Sequence, residues 1–198
     1  MTDFTISILG AGSSYTPEII ERLAVLRDIL PVKKLVFMDI HPSRLETVAG
    51  FCRRFARHLE LPVVIETTTS LRSAISPAQF IITQLRVGGN AQRVFDERIP
   101  LKYDVIGQET TGPGGLANAL RAIPAMLEIA REVEKTNPAA WIINYANPTG
   151  MITEAVQRFT GAKIVGLCSG VYFPRDAVRE TLGVPVESVT YDYFGLNH

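Results

Sequence analysis

Two residues late in the chain, Cys168 and His198, have side chains that commonly bind transition metals, and each follows a predicted strand. A thiolate and an imidazole are ligands of first-row metals, and two protein ligands suggest an open site that water or substrate completes. The alternative is a buried structural thiol and an unrelated histidine. The residue types alone leave both interpretations open.

A second group of residues lies near the N-terminus, where an apolar run from Phe4 to Leu9 ends in the motif GAG. Gly10 permits a tight turn, and Gly12 lets a ligand approach the backbone closely. An amphipathic helix follows, with Thr16 as its expected N-cap and Pro17 at its first position. Free N–H groups and the positive end of the helix dipole suit a pyrophosphate there. An ordinary strand–turn–helix would have a similar sequence.

Asp39 ends a second apolar run, residues 34–39. At this place in a dinucleotide-binding fold, a carboxylate accepts hydrogen bonds from the ribose hydroxyls and repels a 2′-phosphate. The alternative is an aspartate at a strand end that caps the next turn. Because the glycines precede it, we predict that a dinucleotide cofactor binds to five residues of these two segments: Gly10, Gly12, Ser13, Ser14 and Asp39.

A long connection, residues 86–115, follows the fourth predicted strand and contains six glycines. Its middle, residues 90–103, has the spacing of a helix, and its last part, GQETTGPGG, places polar side chains among glycines. Long insertions at the carboxyl end of a strand are usually functional or disordered. We therefore predict an active-site loop that contains Arg86 and Glu109, the alternative being a flexible surface lid without chemistry.

The elements that must position these residues alternate between strands and helices. Strands are predicted at 4–9, 34–39, 62–66, 79–84, 140–145, 163–167 and 189–194, and helices at 16–26, 43–59, 90–103, 116–135, 148–159 and 174–182. This alternation predicts an α/β fold with a doubly wound, mostly parallel sheet. Ligands bind outside the carboxyl ends of such strands, where the loops carrying Gly12, Asp39, Arg86, Asn147 and Cys168 should converge.

Composition excludes several classes of protein. The chain has 198 residues, of which 46% are hydrophobic, enough for a substantial core. Lys+Arg and Asp+Glu balance at 20 each, so no overall charge favours nucleic acid or a membrane surface. No transmembrane run or signal peptide is recognisable, and two cysteines do not make a disulfide framework, so we expect a cytoplasmic protein.

The motifs together resemble glycoside hydrolase family four, and most closely its 6-phospho-β-glucosidase branch. The likeness covers the entire chain and rests on GAGS (10–13), QLRVGG (84–89), DERIPLKY (96–103), GQETTGPGG (107–115), NP (147–148), GLC (166–168) and GLNH (195–198). This NAD-dependent family is an exception to the usual two-carboxylate glycosidases. The resemblance implies a Rossmann-type sheet like that of malate and lactate dehydrogenases, NAD, a divalent metal (usually manganese), a phosphorylated sugar substrate and a homo-oligomer.

The resemblance also implies residue roles. Cys168 and His198 match metal ligands, Asn147 a residue near the sugar hydroxyls and nicotinamide, and Arg86 a position near the substrate. The implied hydrolysis of phosphorylated glucosides oxidises the sugar 3-hydroxyl with NAD, removes the acidified C2 proton, eliminates the aglycone, adds water and returns the hydride. Asn147 and Glu109 are the expected catalytic residues, with Glu109 either a base or the holder of a metal-bound water.

The chain departs from this family in two ways. Its members continue well beyond the metal-binding histidine, into a part that supplies a tyrosine base. We therefore expect residues 1–198 to be an NAD-binding domain with the inserted loop 86–115, to include at most the start of a substrate domain, and to be inactive alone. Ser169 follows Cys168 where the branches carry Asn, Asp or His, which leaves the anomer open. The alternatives are a 2-hydroxyacid dehydrogenase of malate or lactate type and a non-catalytic NAD-binding module.

Overall fold

A six-stranded parallel sheet organises the chain, whose computed structural model describes residues 4–190 and 192. The strands are β1 (Phe4–Leu9), β2 (Val32–Met38), β3 (Val64–Thr68), β4 (Phe80–Thr83), β5 (Trp141–Asn144) and β6 (Lys163–Gly166). Their order is β3-β2-β1-β4-β5-β6, and every neighbouring pair is parallel. The direction of winding reverses between β1 and β4, where ligands of doubly wound sheets bind. The predicted fold class is confirmed.

Seven α-helices connect or follow these strands within the described residues. They are α1 (Thr16–Val25), α2 (Pro42–His58), α3 (Leu71–Ile75), α4 (Gly89–Leu101), α5 (Gly112–Thr136), α6 (Thr149–Phe159) and α7 (Tyr172–Leu182). Short 3₁₀ turns occupy Ser169–Val171 and Val186–Ser188. Across the part of the chain that the structure describes, no helix combines the length and apolarity needed to cross a membrane.

The core consists of two apolar clusters, one on each face of the sheet. In β2, Leu35 and Phe37 pack with residues of α1 and α2, whereas Val36 between them packs with residues of α3, α5 and α6. Successive side chains of a strand point to opposite faces, and here helices cover both faces. This explains why apolar side chains of the central strands β1 and β2 are buried on both faces of the sheet.

The chain divides into two compact units after Gly166. The first contains the sheet and α1 to α6; the described part of the second contains α7 and the two 3₁₀ turns. The strand predicted at 189–194 falls partly outside the described residues, and residues 189, 190 and 192 belong to no strand. The prediction of one NAD-binding domain with an inserted loop stays a prediction.

The predicted starts of α1 and α2 are wrong by a residue. Thr16 is not an N-cap but the first residue of α1, because its buried hydroxyl donates to the Ala11 carbonyl at 2.9 Å. Residues 43–46, SRLE, have the form of a capping box, but it does not form, since α2 already begins at Pro42 with His41 as N-cap. Proline's preset φ favours the first helical position, which moves the start of α2 upstream.

Other helix starts also differ from prediction, and one helix was not predicted at all. Helix α5 begins at Gly112, four residues before predicted Leu116, and continues through Pro124. Helix α6 begins at Thr149, one residue later than predicted, with Pro148 as its N-cap, and the Asn147–Pro148 peptide is cis. Helix α3 was not predicted; it is only five residues long, too short for a clear apolar period.

Candidate functional site

The glycine turn after β1 is held against the chain that leaves β4. Gly10 has φ +85°, and a Cβ there would lie 3.1 Å from backbone atoms of Gln84 and Leu85. Gln84 Nε2 also donates to the Thr16 hydroxyl at 2.7 Å. Glycine is required at position 10 because it adopts this φ without strain and leaves room for the neighbouring strand's backbone. The turn therefore lies at the point where winding reverses.

Gly12 lies in close contact with side chains of its own chain. Its N–H donates to Asp39 Oδ2 at 2.9 Å, and a Cβ would lie 2.7 Å from that oxygen. Asp39 Oδ1 accepts from the His41 N–H at 3.0 Å, so Asp39 also caps the following turn as the alternative interpretation held. Since each carboxylate oxygen has two lone pairs, Asp39 keeps acceptor capacity for ribose hydroxyls.

The two serines of the turn have different environments. Ser13 Oγ accepts from the Tyr15 N–H at 3.2 Å, and its carbonyl accepts from the Thr16 N–H at 3.2 Å. Ser14 is exposed, and within the described residues neither its hydroxyl nor its N–H has a partner. Ser14 therefore offers both donors to a ligand, whereas Ser13 mainly stabilises the turn.

Glu109 lies in a cluster of arginines between α4 and α5. It forms ion pairs with Nη1 of Arg86 and, at 3.3 Å, with Nη1 of Arg93, and its side chain is 14% exposed. Arg93 Nε also donates to Glu97 at 2.6 Å. The Glu97 hydrogen bond is the largest factor raising the pKa of Arg93 above its ordinary value, with Glu109 and Tyr15 adding smaller contributions. Arg86 and Glu109 thus form one charged cluster.

Close backbone packing holds the segment that carries Glu109. Gln108 Oε1 accepts from the N–H groups of Thr110 and, at 2.8 Å, Thr111. A Cβ at Gly107 would collide with the Glu97 carbonyl oxygen, and one at Gly115 with the Thr110 backbone. These glycines therefore allow the segment to pack directly on α4 and on the start of α5.

Asn118 of α5 connects the Glu109 segment to the turn after β5. This buried side chain donates from Nδ2 to the carbonyls of Asn147, at 3.2 Å, and Glu109, at 3.4 Å. The Asn147 side chain in turn accepts from the Thr149 hydroxyl at 3.3 Å. Arg86, Glu109 and Asn147 thus belong to one connected group.

We expect Asn118→Ala to lower the free energy of unfolding by about 1–3 kcal/mol, because two carbonyls would lose their buried donor. Amide exchange at Thr110 and Thr111 should quicken in the same variant. Urea denaturation and hydrogen-exchange mass spectrometry measure both effects. Asn90→Ala, at an exposed position on α4, is the control. Unchanged exchange in this segment would show that Asn118 does not hold it.

Of the two predicted metal ligands, the structure describes Cys168. Cys168 is half-buried and forms no disulfide, and it belongs to the second compact unit. His198 lies outside the described residues, and among the residues described no group of three metal-binding side chains is found. Cys52 is fully buried in α2, and burial raises the pKa of its thiol to about 11.

Sequence reasoning missed four residues of this region: Arg44, Arg93, Asp96 and Asn118. Arg44 Nε donates to the Gly12 carbonyl at 2.6 Å, and buried Asp96 forms an ion pair with Arg121 of α5. The spacing of Arg93 and Glu97 along α4 would have indicated their mutual ion pair. Nothing local in the sequence indicates the partners of the other three, which come from distant segments.

Residues 5–184 match the sequence profile of a family described as Family 4 glycosyl hydrolase. A probable 6-phospho-β-glucosidase of Bacillus subtilis (strain 168) is 44% identical over 196 residues, covering 98% of this chain and 44% of that protein. The chain therefore spans less than half the length of this relative.

Solved structures of 6-phospho-glucosidases are also similar to this chain. A 6-phospho-β-glucosidase of Thermotoga maritima with NAD and glucose-6-phosphate matches with a TM-score of 0.91 and 36% identity, covering 99% of this chain and 47% of that one. A 6-phospho-α-glucosidase from gut microorganisms with NAD and Mn²⁺ matches with a TM-score of 0.92 and 33% identity, covering 99% and 45%. A lactate dehydrogenase of Eimeria maxima, at a TM-score of 0.66 and 16% identity (95% and 51% covered), shares the fold alone.

Proposed function

Because this chain belongs to the family 4 glycosyl hydrolases, as its motifs predicted, we propose that it is the cofactor-binding part of an NAD- and divalent-metal-dependent enzyme that hydrolyses 6-phospho-glucosides. The main observation behind the proposal is that the glycine turn is hydrogen-bonded to Asp39 at the point where the sheet reverses its winding. The alternative of a 2-hydroxyacid dehydrogenase rests on shared fold only.

The residues present fit a dinucleotide. Gly12 is placed where a Cβ would fill the space beside Asp39, and exposed Ser14 keeps free donors next to it within the described residues. We propose that Gly10, Gly12, Ser13 and Ser14 face the pyrophosphate and that Asp39 accepts from the ribose hydroxyls. For the metal, we propose the thiolate of Cys168 and the imidazole of His198 as ligands, with manganese as the ion.

When bound, NAD supplies a hydride acceptor and the metal a Lewis acid. Arg86 would donate hydrogen bonds to oxygens of the phosphorylated sugar, and Asn147 would orient its hydroxyls beside the nicotinamide. Glu109 holds Arg86 and Arg93 by ion pairs. Each of its carboxylate oxygens thus faces one arginine. This supports a role for Glu109 in orienting Arg86 or holding a metal-bound water, rather than a role as the base that removes the C2 proton.

We propose that the substrates are β-linked, because the Bacillus subtilis relative is named for this linkage. Ser169 nevertheless differs from the residue expected in that branch.

We also propose that the protein is a cytoplasmic homo-oligomer. Neither cysteine forms a disulfide, as in reducing compartments. Large apolar side chains are exposed on α4 and α5, including Phe95, Ile99 and Leu120, and a second copy could cover this surface.

The proposal is tested by titrating NAD and NADP into the chain by calorimetry. NAD should bind more tightly than NADP, because the Asp39 carboxylate accepts from the ribose and meets a 2′-phosphate with like charge. Asp39→Ala should weaken NAD binding about tenfold or more, since hydrogen bonds to a charged group are lost, and should narrow the difference between the cofactors. Asp28→Ala, at an exposed site after α1, is the control. A folded chain that binds neither cofactor would refute the proposal.

A further inference from the structure

Arg44 lies against the glycine turn from the first part of α2. Its Nε donates to the Gly12 carbonyl at 2.6 Å, and its Cγ would lie 3.1 Å from a Cβ at Gly12. The side chain is therefore laid along the turn, although the residue as a whole is exposed. Replacing Gly12 by any larger residue would displace it.

Asp39 and Arg44 hold the two polar groups of the same glycine. The Gly12 N–H donates to the Asp39 carboxylate at 2.9 Å, while the Gly12 carbonyl accepts from Arg44. A negatively charged and a positively charged side chain are thus both hydrogen-bonded to one residue of the turn. Both Asp39 oxygens also accept backbone N–H groups, which offset part of the carboxylate's charge. A 2′-phosphate arriving here would meet a guanidinium as well as a carboxylate.

The guanidinium retains most of its binding capacity. Only Nε of Arg44 is used, and among the described residues Nη1 and Nη2 have no hydrogen-bond or ion-pair partner. The N–H groups of a guanidinium form a planar fork that matches phosphate oxygens, and the charge strengthens each hydrogen bond. Because Nε is hydrogen-bonded to the Gly12 carbonyl, the guanidinium is held at the same residue whose N–H binds the carboxylate expected to contact the ribose.

We infer that Arg44 is a cofactor-specificity residue that lets this chain accept the 2′-phosphate of NADP on its Nη groups beside Asp39. The inference rests on the proposed function, since it needs a dinucleotide on the glycine turn. Asp39 still makes NAD the tighter ligand. Arg44 reduces the preference for NAD over NADP that Asp39 alone would produce.

The test compares dissociation constants for NAD and NADP in the wild type, Arg44→Gln and Arg57→Gln by calorimetry. Glutamine places Nε2 where arginine has Nε, so the hydrogen bond to Gly12 can persist while the charge and the Nη groups are lost. Arg44→Gln should weaken NADP binding about tenfold or more and NAD binding by less than about threefold. Arg57→Gln removes the same charge from the far end of α2 and should change neither constant.

Equal weakening of both cofactors in Arg44→Gln would overturn the inference, because Arg44 would then act only through the turn. Wild-type chain that binds NAD but no NADP would also overturn it, while leaving the proposed function intact. Failure to bind NAD at all would refute both. Circular dichroism of each variant confirms that the exposed substitutions leave the fold unchanged.

Discussion

Replacing Asp96 with alanine should lower the free energy of unfolding by about 3 kcal/mol, the lower end of the usual cost of removing one partner of a buried ion pair, because the remaining Arg121 side chain is 27% exposed. Asp96 is 4% exposed, and its carboxylate accepts from both terminal nitrogens of Arg121, at 3.0 Å from Nη1. Without it, the Arg121 guanidinium remains at the α4–α5 contact with no carboxylate to balance its charge. The loss should also loosen the packing of α4 on α5.

Urea denaturation measures this effect, and Glu154→Ala is the matched control. Glu154 forms an ion pair with Arg158 on the surface of α6, where the side chains are 71% and 72% exposed. Pairs of this kind contribute about 0–1 kcal/mol, so the control should remain close to wild type. An Asp96→Ala variant as stable as the control would show that the buried pair adds no net stability.

Cys168→Ser should weaken the binding of Mn²⁺ to the chain by about a hundredfold or more. A serine hydroxyl stays protonated at neutral pH and is a poor metal donor. Replacing a residue that only hydrogen-bonds to a metal ligand already lowers metal affinity about 10- to 100-fold, so replacing a ligand itself should lower it at least as much. Binding should also require a reductant, because oxidation of the thiol removes its donor capacity. Electron paramagnetic resonance of free Mn²⁺ during titration provides the measurement.

Cys52→Ser is the internal control for this experiment. Cys52 is fully buried between α2 and the sheet, and burial raises the pKa of its thiol to about 11, so it remains protonated and inaccessible at neutral pH. Mn²⁺ affinity should therefore be unchanged in Cys52→Ser. If both variants lost the metal equally, the assignment of Cys168 as a ligand would be wrong.

Local sequence patterns predicted much of the fold. The six strands of the sheet and the helices α1, α2, α4, α5, α6 and α7 were all predicted, because apolar periodicity and glycine or proline punctuation act over neighbouring residues. The helix starts were less accurate. Thr16 and Ser43 have the residue types of N-caps, but their competing partners come from elsewhere in the fold or from an adjacent proline.

The sequence by itself determined the family, the succession along the chain of the six strands and of every described helix except α3, and the types of residue at the carboxyl edge of the sheet. Only the tertiary structure decided which of these side chains are partners. It joined Glu109 to Arg93, Asn118 to Asn147, and Arg44 to Gly12. The physical reason is that a charged or amide side chain can satisfy its hydrogen bonds with many partners of the same type. Which partner it meets depends on how distant segments pack, and no local pattern records that packing.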